Sequence, residues 1–217
     1  MPRGLKFIMI LGGVLFCLSL AALVVLATVS RARPLAPKAE SSVADLRLPD
    51  FSLIDQNEQP VSRSAFKGRV TIVDFMFTHC PFICPRLTGQ MLEMSKALTG
   101  TPVRFASFSV DPVHDTPARL REYATEKGID LTRWSLLTGE QAVIDSIVKG
   151  ALKFELAEDT RTPITLPDGS SMNNITHPGH FVVIGPEGQV LAMRRSSEPD
   201  AVAQIVQIAR DAAARLP

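Results

Sequence analysis

Apolar and polar positions divide this chain into three parts. Residues 7 to 29, FIMILGGVLFCLSLAALVVLATV, follow Arg3 and Lys6 and carry no charge. As a helix the run would be about 34 Å long, against a hydrocarbon core of about 30 Å. A cleaved signal peptide has a shorter apolar centre, roughly 7 to 15 residues, and a small-x-small site. The pattern therefore predicts one N-terminal transmembrane helix, a single-pass anchor within residues 1–29. Residues 30–46, SRARPLAPKAESSVADL, mix Pro, Ala, Ser and charge without periodicity and read as a flexible linker. Residues 47–217 carry the periodic patterns of one domain with a sizeable core.

Within that domain VTIVDFMF (70–77) is a β-branched and aromatic run that reads as a buried strand. LTGQMLEMSKAL (87–98) has helical spacing, and VRFASFSVD (103–111) is a second strand that ends in the loop DPVHDTP. Thr116 and Pro117 suit an N-cap and first helical position, and Gly128 closes the helix they open. WSLLTG (134–139) suits a short strand, and a helix is expected over 140–152. HFVVIGPEGQVLAMRR (180–195) reads as a hairpin around Gly185-Pro186-Glu187-Gly188, followed by a helix over 199–215. Strands alternating with helices imply an α/β domain with a mostly parallel sheet, closed by an antiparallel hairpin. The order fits a thioredoxin-like fold, a central mixed sheet flanked by helices.

Charge narrows the partners. The formal net charge is +1 and aromatic residues make up 6%, so nucleic acid is not an expected partner. Basic residues flank the apolar run on both sides, and the positive-inside count leaves its orientation open. Cys17 follows Phe16, where a lipoprotein cysteine needs a small residue, and reads as a packing thiol in the anchor. The remaining pair, Cys80 and Cys84, suits an oxidising compartment or a metal site, which puts the domain on the outer face.

That pair lies in THCPFICPR, just beyond the C-terminal end of the first central strand, where open α/β sheets place their sites. The residue before a proline avoids the α region, so Cys84 suits an N-cap with Pro85 at the first helical position. Both sulfurs then lie near a helix N-terminus, where a thiol pKa is lowered. Two thiolates are an incomplete site. Copper accepts Cys thiolate with imidazole, and no third thiolate is on hand for a Cys₃His zinc centre. Four histidines are candidates. His79 is Cys80's neighbour and is not expected to converge on the same ion. His114 lies in a polar loop and reads as a solvated side chain. His177 and His180 both precede a strand and would face opposite sides of an extended segment, and spacing does not choose between them.

Three blocks resemble the Sco/SenC family of copper chaperones across nearly all of the domain. VDFMFTHCPFICP is similar to that family's strand and C-P-x-x-C-P loop. SVDPVHDTPARLREYA is similar to its V-D-P-x-x-D-T-P segment, and THPGHFVVIGPEG to its histidine, strand and G-P-D/E-G turn. The resemblance implies a thioredoxin-like fold and a metal site of Cys80, Cys84 and His177, since the family's histidine stands eight positions before the glycine that opens the turn. It implies a copper ion, Cu(I) or Cu(II), as cargo, and a role in assembling the dinuclear copper centre of cytochrome c oxidase. The implied partners are the copper-site subunit of the oxidase and an upstream copper donor. The implied location is the inner membrane, facing the periplasm, or the intermembrane space in a mitochondrion. Phe82 departs from the pattern, standing where the family commonly has Asp. Asp111 and Asp115 carry two readings, orientation of the site or recognition of a partner, and the favoured one, loop structure, with Asp111 ending a strand and Asp115 capping the helix at Thr116-Pro117.

A second reading needs only the cysteines: a thiol–disulfide oxidoreductase that keeps the oxidase copper site reduced. A peroxiredoxin-like site fails by one residue, because Thr78 stands two positions before Cys80 where T-x-x-C needs three.

Overall fold

A computed structural model describes residues 43–216. The anchor expected within residues 1–29, Cys17, and the linker up to residue 42 lie outside the described residues. Among the described residues no helix is long and apolar enough to cross a membrane. The described fold starts at a 3₁₀ turn, Val43–Asp45, inside the segment expected to be linker. Leu46 accepts from Val190 N and Leu48 N donates to Gly188 O, so this stretch is laced onto the hairpin of residues 180–195.

The strands are β1 (Ser52–Asp55), β2 (Pro60–Ser62), β3 (Thr71–Met76), β4 (Arg104–Ser109), β5 (Trp134–Thr138), β6 (Ala157–Thr165), β7 (Ser171–Thr176), β8 (His180–Ile184) and β9 (Val190–Arg195). The helices are α1 (Cys84–Ala97), α2 (Pro117–Lys127), α3 (Gln141–Asp145) and α4 (Ala201–Ala213). The central sheet runs β2-β1-β5-β4-β3-β8-β9, and β6-β7 form a separate two-stranded ribbon. The expectation of a mostly parallel sheet is corrected. Only β3–β4 and β4–β5 pair parallel, while β1, β2, β8 and β9 all join antiparallel. The helical crossovers that force parallel pairing connect only the three inner strands.

Period-two alternation splits the inner strands between two layers. Phe75 and Phe108 meet the rings of Phe51, Phe66 and Phe154 on one face. Asp74, Ser107 and Trp134 meet on the other, where Ser107 donates to the Asp74 carboxylate and Trp134 Nε1 donates to Ser107. All six positions of β3 are buried, which is why its sequence is an unbroken apolar run around Asp74. The helix expected over 140–152 is α3 continued by a π-helical turn, Ser146–Ala151, which keeps Ile144, Ile147 and Val148 buried.

The boundaries of α2 follow from its caps. Thr116 is extended and its hydroxyl accepts from Arg119 N, Pro117 opens the helix, and Gly128 closes it at φ 68°. Removing the cap hydroxyl leaves that N–H unpaired. Thr116→Ala is therefore expected to cost about 1 kcal/mol of unfolding free energy, read as a lowered urea midpoint at an unchanged m-value. An unaltered midpoint would contradict the capping role.

Candidate metal centre

β3 delivers the chain to a turn at its C-terminal end, where Cys80 N donates to Phe77 O. The chain then enters α1 one residue earlier than its prolines suggest. Ile83 is the cap, Cys84 is the first helical residue and Pro85 the second. The pre-proline bias against helical backbone yields here to burial of the Cys84 side chain, which is 1% exposed.

The histidine arrives from the other direction. β8 runs antiparallel to β3, with Thr71 opposite Ile184, Ile72 opposite Val183 and Val73 opposite Val182. Continued past the paired residues, that register sets His177 across from Thr78, at the level of the cysteine turn, and His180 across from Phe75. His177 Nε2 lies 3.3 Å from Cys84 Sγ. The two sulfurs and an imidazole nitrogen all lie within 4.8 Å of one another. The His177 ring meets Phe77 edge-on, and its Nδ1 is buried without a protein partner. His180 is not in the cluster. Its ring packs against Phe154 instead, tilted by 34° with centroids 4.7 Å apart.

Both cysteines are free thiols. The Cys84 hydrogen bond pulls the Cys80 pKa down to about 4, helped by His177 and by the backbone N–H groups of Cys84 and Phe82, against the cost of burial. Burial pushes the Cys84 thiol well up, and the Cys80 negative charge adds to it. The pair therefore shares one proton: Cys80 is the thiolate and Cys84 keeps the hydrogen. Helix α1 alone would have lowered both; burial decides against the dipole at Cys84.

Other expectations change. Asp115 does not cap α2. Its buried carboxylate accepts from Thr78 N, Thr78 Oγ1 and Ser109 Oγ, and so ties the cysteine turn to β4. Asp111 accepts from His114 Nδ1 at 2.8 Å, and His114 is half-buried rather than solvated. Phe82 projects into solvent at 61% exposure beside the site. Ser196 had no signal in the sequence beyond its place at the end of β9. It is nonetheless the clip between the two halves of the site: its N–H donates to Gly179 O, and it accepts from Arg86 and Gln90 of α1. Gly179 lies where the two loops cross, and a Cβ there would lie 2.6 Å from Ile83 Cδ1, so that side chain would have to swing aside.

A thioredoxin-like α/β scaffold with a thiolate, a thiol and an imidazole at the end of its central strand defines a class of dithiol–imidazole proteins able to hold a soft metal ion or to exchange disulfides. The profile of the SCO1/SenC family matches residues 39–212, and the chain belongs to that family. It is 33% identical over 144 residues to a Bacillus subtilis SCO1 protein homolog, covering 65% of this chain and 69% of that one. It is 30% identical over 147 residues to a putative copper-binding protein of Stutzerimonas stutzeri, covering 66% of each. Among solved structures, BsSco is matched at 28% identity and TM-score 0.63, over 78% of this chain and 95% of that one. That protein is described as having a disulfide switch and as a member of the Sco family of cytochrome c oxidase assembly proteins. Arabidopsis thaliana ScoI, solved with copper bound, shares the fold at 22% identity and TM-score 0.62, over 76% of this chain and 98% of that one.

Beneath the site, burial raises the Asp74 pKa to about 6, from 3.8, against the Ser107 hydrogen bond. A carboxyl whose folded pKa is raised binds its proton more tightly in the folded state, so its contribution to stability is lost as pH rises from about 4 to about 6. Asp74→Asn keeps an acceptor for Ser107 and removes the titration. Relative to the natural chain, the variant is expected to gain stability steadily across that window, and urea unfolding at a series of pH values checks it. A difference that is flat or falls with pH would contradict the buried-charge account.

Proposed function

We propose that this chain is a membrane-anchored copper chaperone that carries one copper ion on Cys80, Cys84 and His177 and helps assemble the dinuclear copper centre of cytochrome c oxidase. The observation that carries this reading is the convergence of two sulfurs and one imidazole nitrogen within 4.8 Å. Two thiolates and an imidazole are a soft, three-donor set suited to copper. The Stutzerimonas stutzeri relative's description as copper-binding, and the oxidase-assembly description of BsSco, support the cargo and its destination. The anchor rests on the charge-free residues 7–29; the Cys80–Cys84 pair and the family likeness support a domain in the periplasm, or in the intermembrane space of a mitochondrion. The partners are then the oxidase subunit that receives copper and an upstream donor.

The proton held by Cys84 gives the site a way to load and release. Copper displaces that proton, since only a thiolate ligates, and a proton returned to Cys84 weakens the grip.

The free dithiol supports a second reading, a thiol–disulfide oxidoreductase. A low-pKa Cys80 beside a protonated Cys84 is the pairing such chemistry needs, and the disulfide switch described for BsSco is consistent with it.

The reduced full chain, titrated anaerobically with Cu(I) against a chelator, is expected to bind one Cu(I). Cys80→Ser or Cys84→Ser is expected to weaken it at least a hundredfold. His177→Ala is expected to weaken it roughly tenfold, or about 1.4 kcal/mol. His180→Ala is expected to leave it within a factor of about two. Full affinity in either serine variant, or the opposite order for the two histidines, would overturn the ligand assignment.

A further inference from the structure

Beside the triad, on its solvent side, two more imidazoles meet. The rings of His79 and His114 stand 5.9 Å apart, centroid to centroid, with their planes at 79°. The sequence keeps them 35 positions apart (114 − 79), so the loop 111–116 and the cysteine turn must fold together to make the pair. Each ring is held by its Nδ1. His114 Nδ1 lies 2.8 Å from the buried Asp111 carboxylate, which only accepts, so the nitrogen carries the hydrogen. His79 Nδ1 lies 3.3 Å from Thr78 Oγ1. That hydroxyl gives its own hydrogen to Asp115 and already accepts from Arg119 Nε, so it takes a second hydrogen from His79. Both rings are thereby fixed in the tautomer that leaves Nε2 with a free lone pair. A carboxylate or hydroxyl behind Nδ1 is the usual support of a metal-ligating histidine.

The separation is compatible with a shared ion. With metal–nitrogen bonds of about 2.0 Å, two imidazoles on one ion have centroids from roughly 4.5 Å apart when cis to about 6.3 Å when trans, and 5.9 Å lies inside that span. Carboxylates lie near the pair: Asp111 holds His114, and Asp168, at the tip of the β6–β7 ribbon, is within electrostatic reach of both rings. Arg119 is nearby too, paired with Glu122 and Glu126. Both histidines are half-buried, with an open side for an ion to enter.

We propose that His79 and His114 form a second, outer metal subsite that takes Cu(II) through their two Nε2 atoms, next door to the thiolate triad. Imidazoles backed by carboxylates are borderline donors that suit Cu(II), whereas the sulfur pair suits Cu(I). Because His79 directly precedes Cys80, an ion on the outer subsite sits one residue from the thiolate that receives it. Passage inward exchanges Cu(II)–N bonds for Cu(II)–S bonds; the copper keeps its oxidation state, and the Cys84 proton leaves to solvent. This role rests on the copper-carrying reading above, but the subsite does not need the sulfurs.

The test uses the tag-free full chain in two states. In the first, Cys80 and Cys84 are oxidised to their disulfide, which removes both thiolates without a substitution. Titration with Cu(II) against glycine is expected to load one ion, with a nitrogen-coordinated electron paramagnetic resonance signal. His114→Ala is expected to weaken it at least tenfold, and His79→Ala likewise. In the second state, the reduced chain, neither substitution is expected to change the stoichiometry of Cu(I). A Cu(II) signal that is absent from the disulfide form, or that survives both histidine substitutions unchanged, overturns the outer subsite. Failure of the reduced chain to take Cu(I) counts instead against the triad. A circular dichroism spectrum matching the natural chain's confirms that each variant is folded, and Cys80→Ser/Cys84→Ser gives the same Cu(II) reading where the disulfide is not fully formed.

Discussion

The antiparallel pairing of β3 with β8 is the constraint on which the site depends. A parallel neighbour would bring the wrong end of its strand to the cysteine turn. An antiparallel one delivers the residues just before β8, and the register that pairs Val73 with Val182 sets His177 level with the turn. A slip of one residue would turn every side chain of β8 to the other face. Val182, Val183 and Ile184, between Phe181 and Gly185, are fully buried, so the register is held by the core itself. Ser196 and Gly179 then bring the histidine loop against the first turns of α1.

Burial sets the chemistry of what is brought together. At the N-terminus of a helix two thiols would both be expected to ionise readily. Cys84 lies too deep for a charge, and its hydrogen bond to Cys80 puts the negative charge on the outer sulfur. The same depth raises Asp74 and Asp115 to about 6, one under the site and one behind the turn. The site is thus poised with a single thiolate and a single mobile proton, a state that can accept a cation or attack a disulfide. The family places the chain among copper-handling proteins; which use dominates depends on whether His177 matters.

Much of this was legible in the chain because it was local. β3 and β4 announce themselves as apolar runs, α2 by Thr116, Pro117 and Gly128, and β8–β9 by the Gly-Pro-Glu-Gly turn. The Cys80–Cys84 spacing pointed to the sulfur pair. What stayed hidden was made by contact at a distance. His177 and His180 were indistinguishable by spacing until the β3–β8 register separated them, and family resemblance had named the one that lies beside the two sulfurs. Asp115 read as a helix cap because its neighbours are cap residues, while its partners Thr78 and Ser109 come from elsewhere. β1 and β2 are three or four residues long and show little alternation. The β6–β7 ribbon is exposed along most of its length, so it has no apolar face to betray it, and its register shifts between Asp159 and Ile164.

The claim that decides the account is that His177 serves copper delivery and not thiol exchange. Cytochrome c oxidase activity of membranes, from cells grown at limiting copper and carrying His177→Ala or Cys80→Ser in place of the natural chain, tests it directly. The account predicts that both strains lose assembled oxidase, even though the dithiol of His177→Ala still forms and breaks its disulfide. Near-normal activity with His177→Ala, alongside loss with Cys80→Ser, would contradict it and make the chain a reductase.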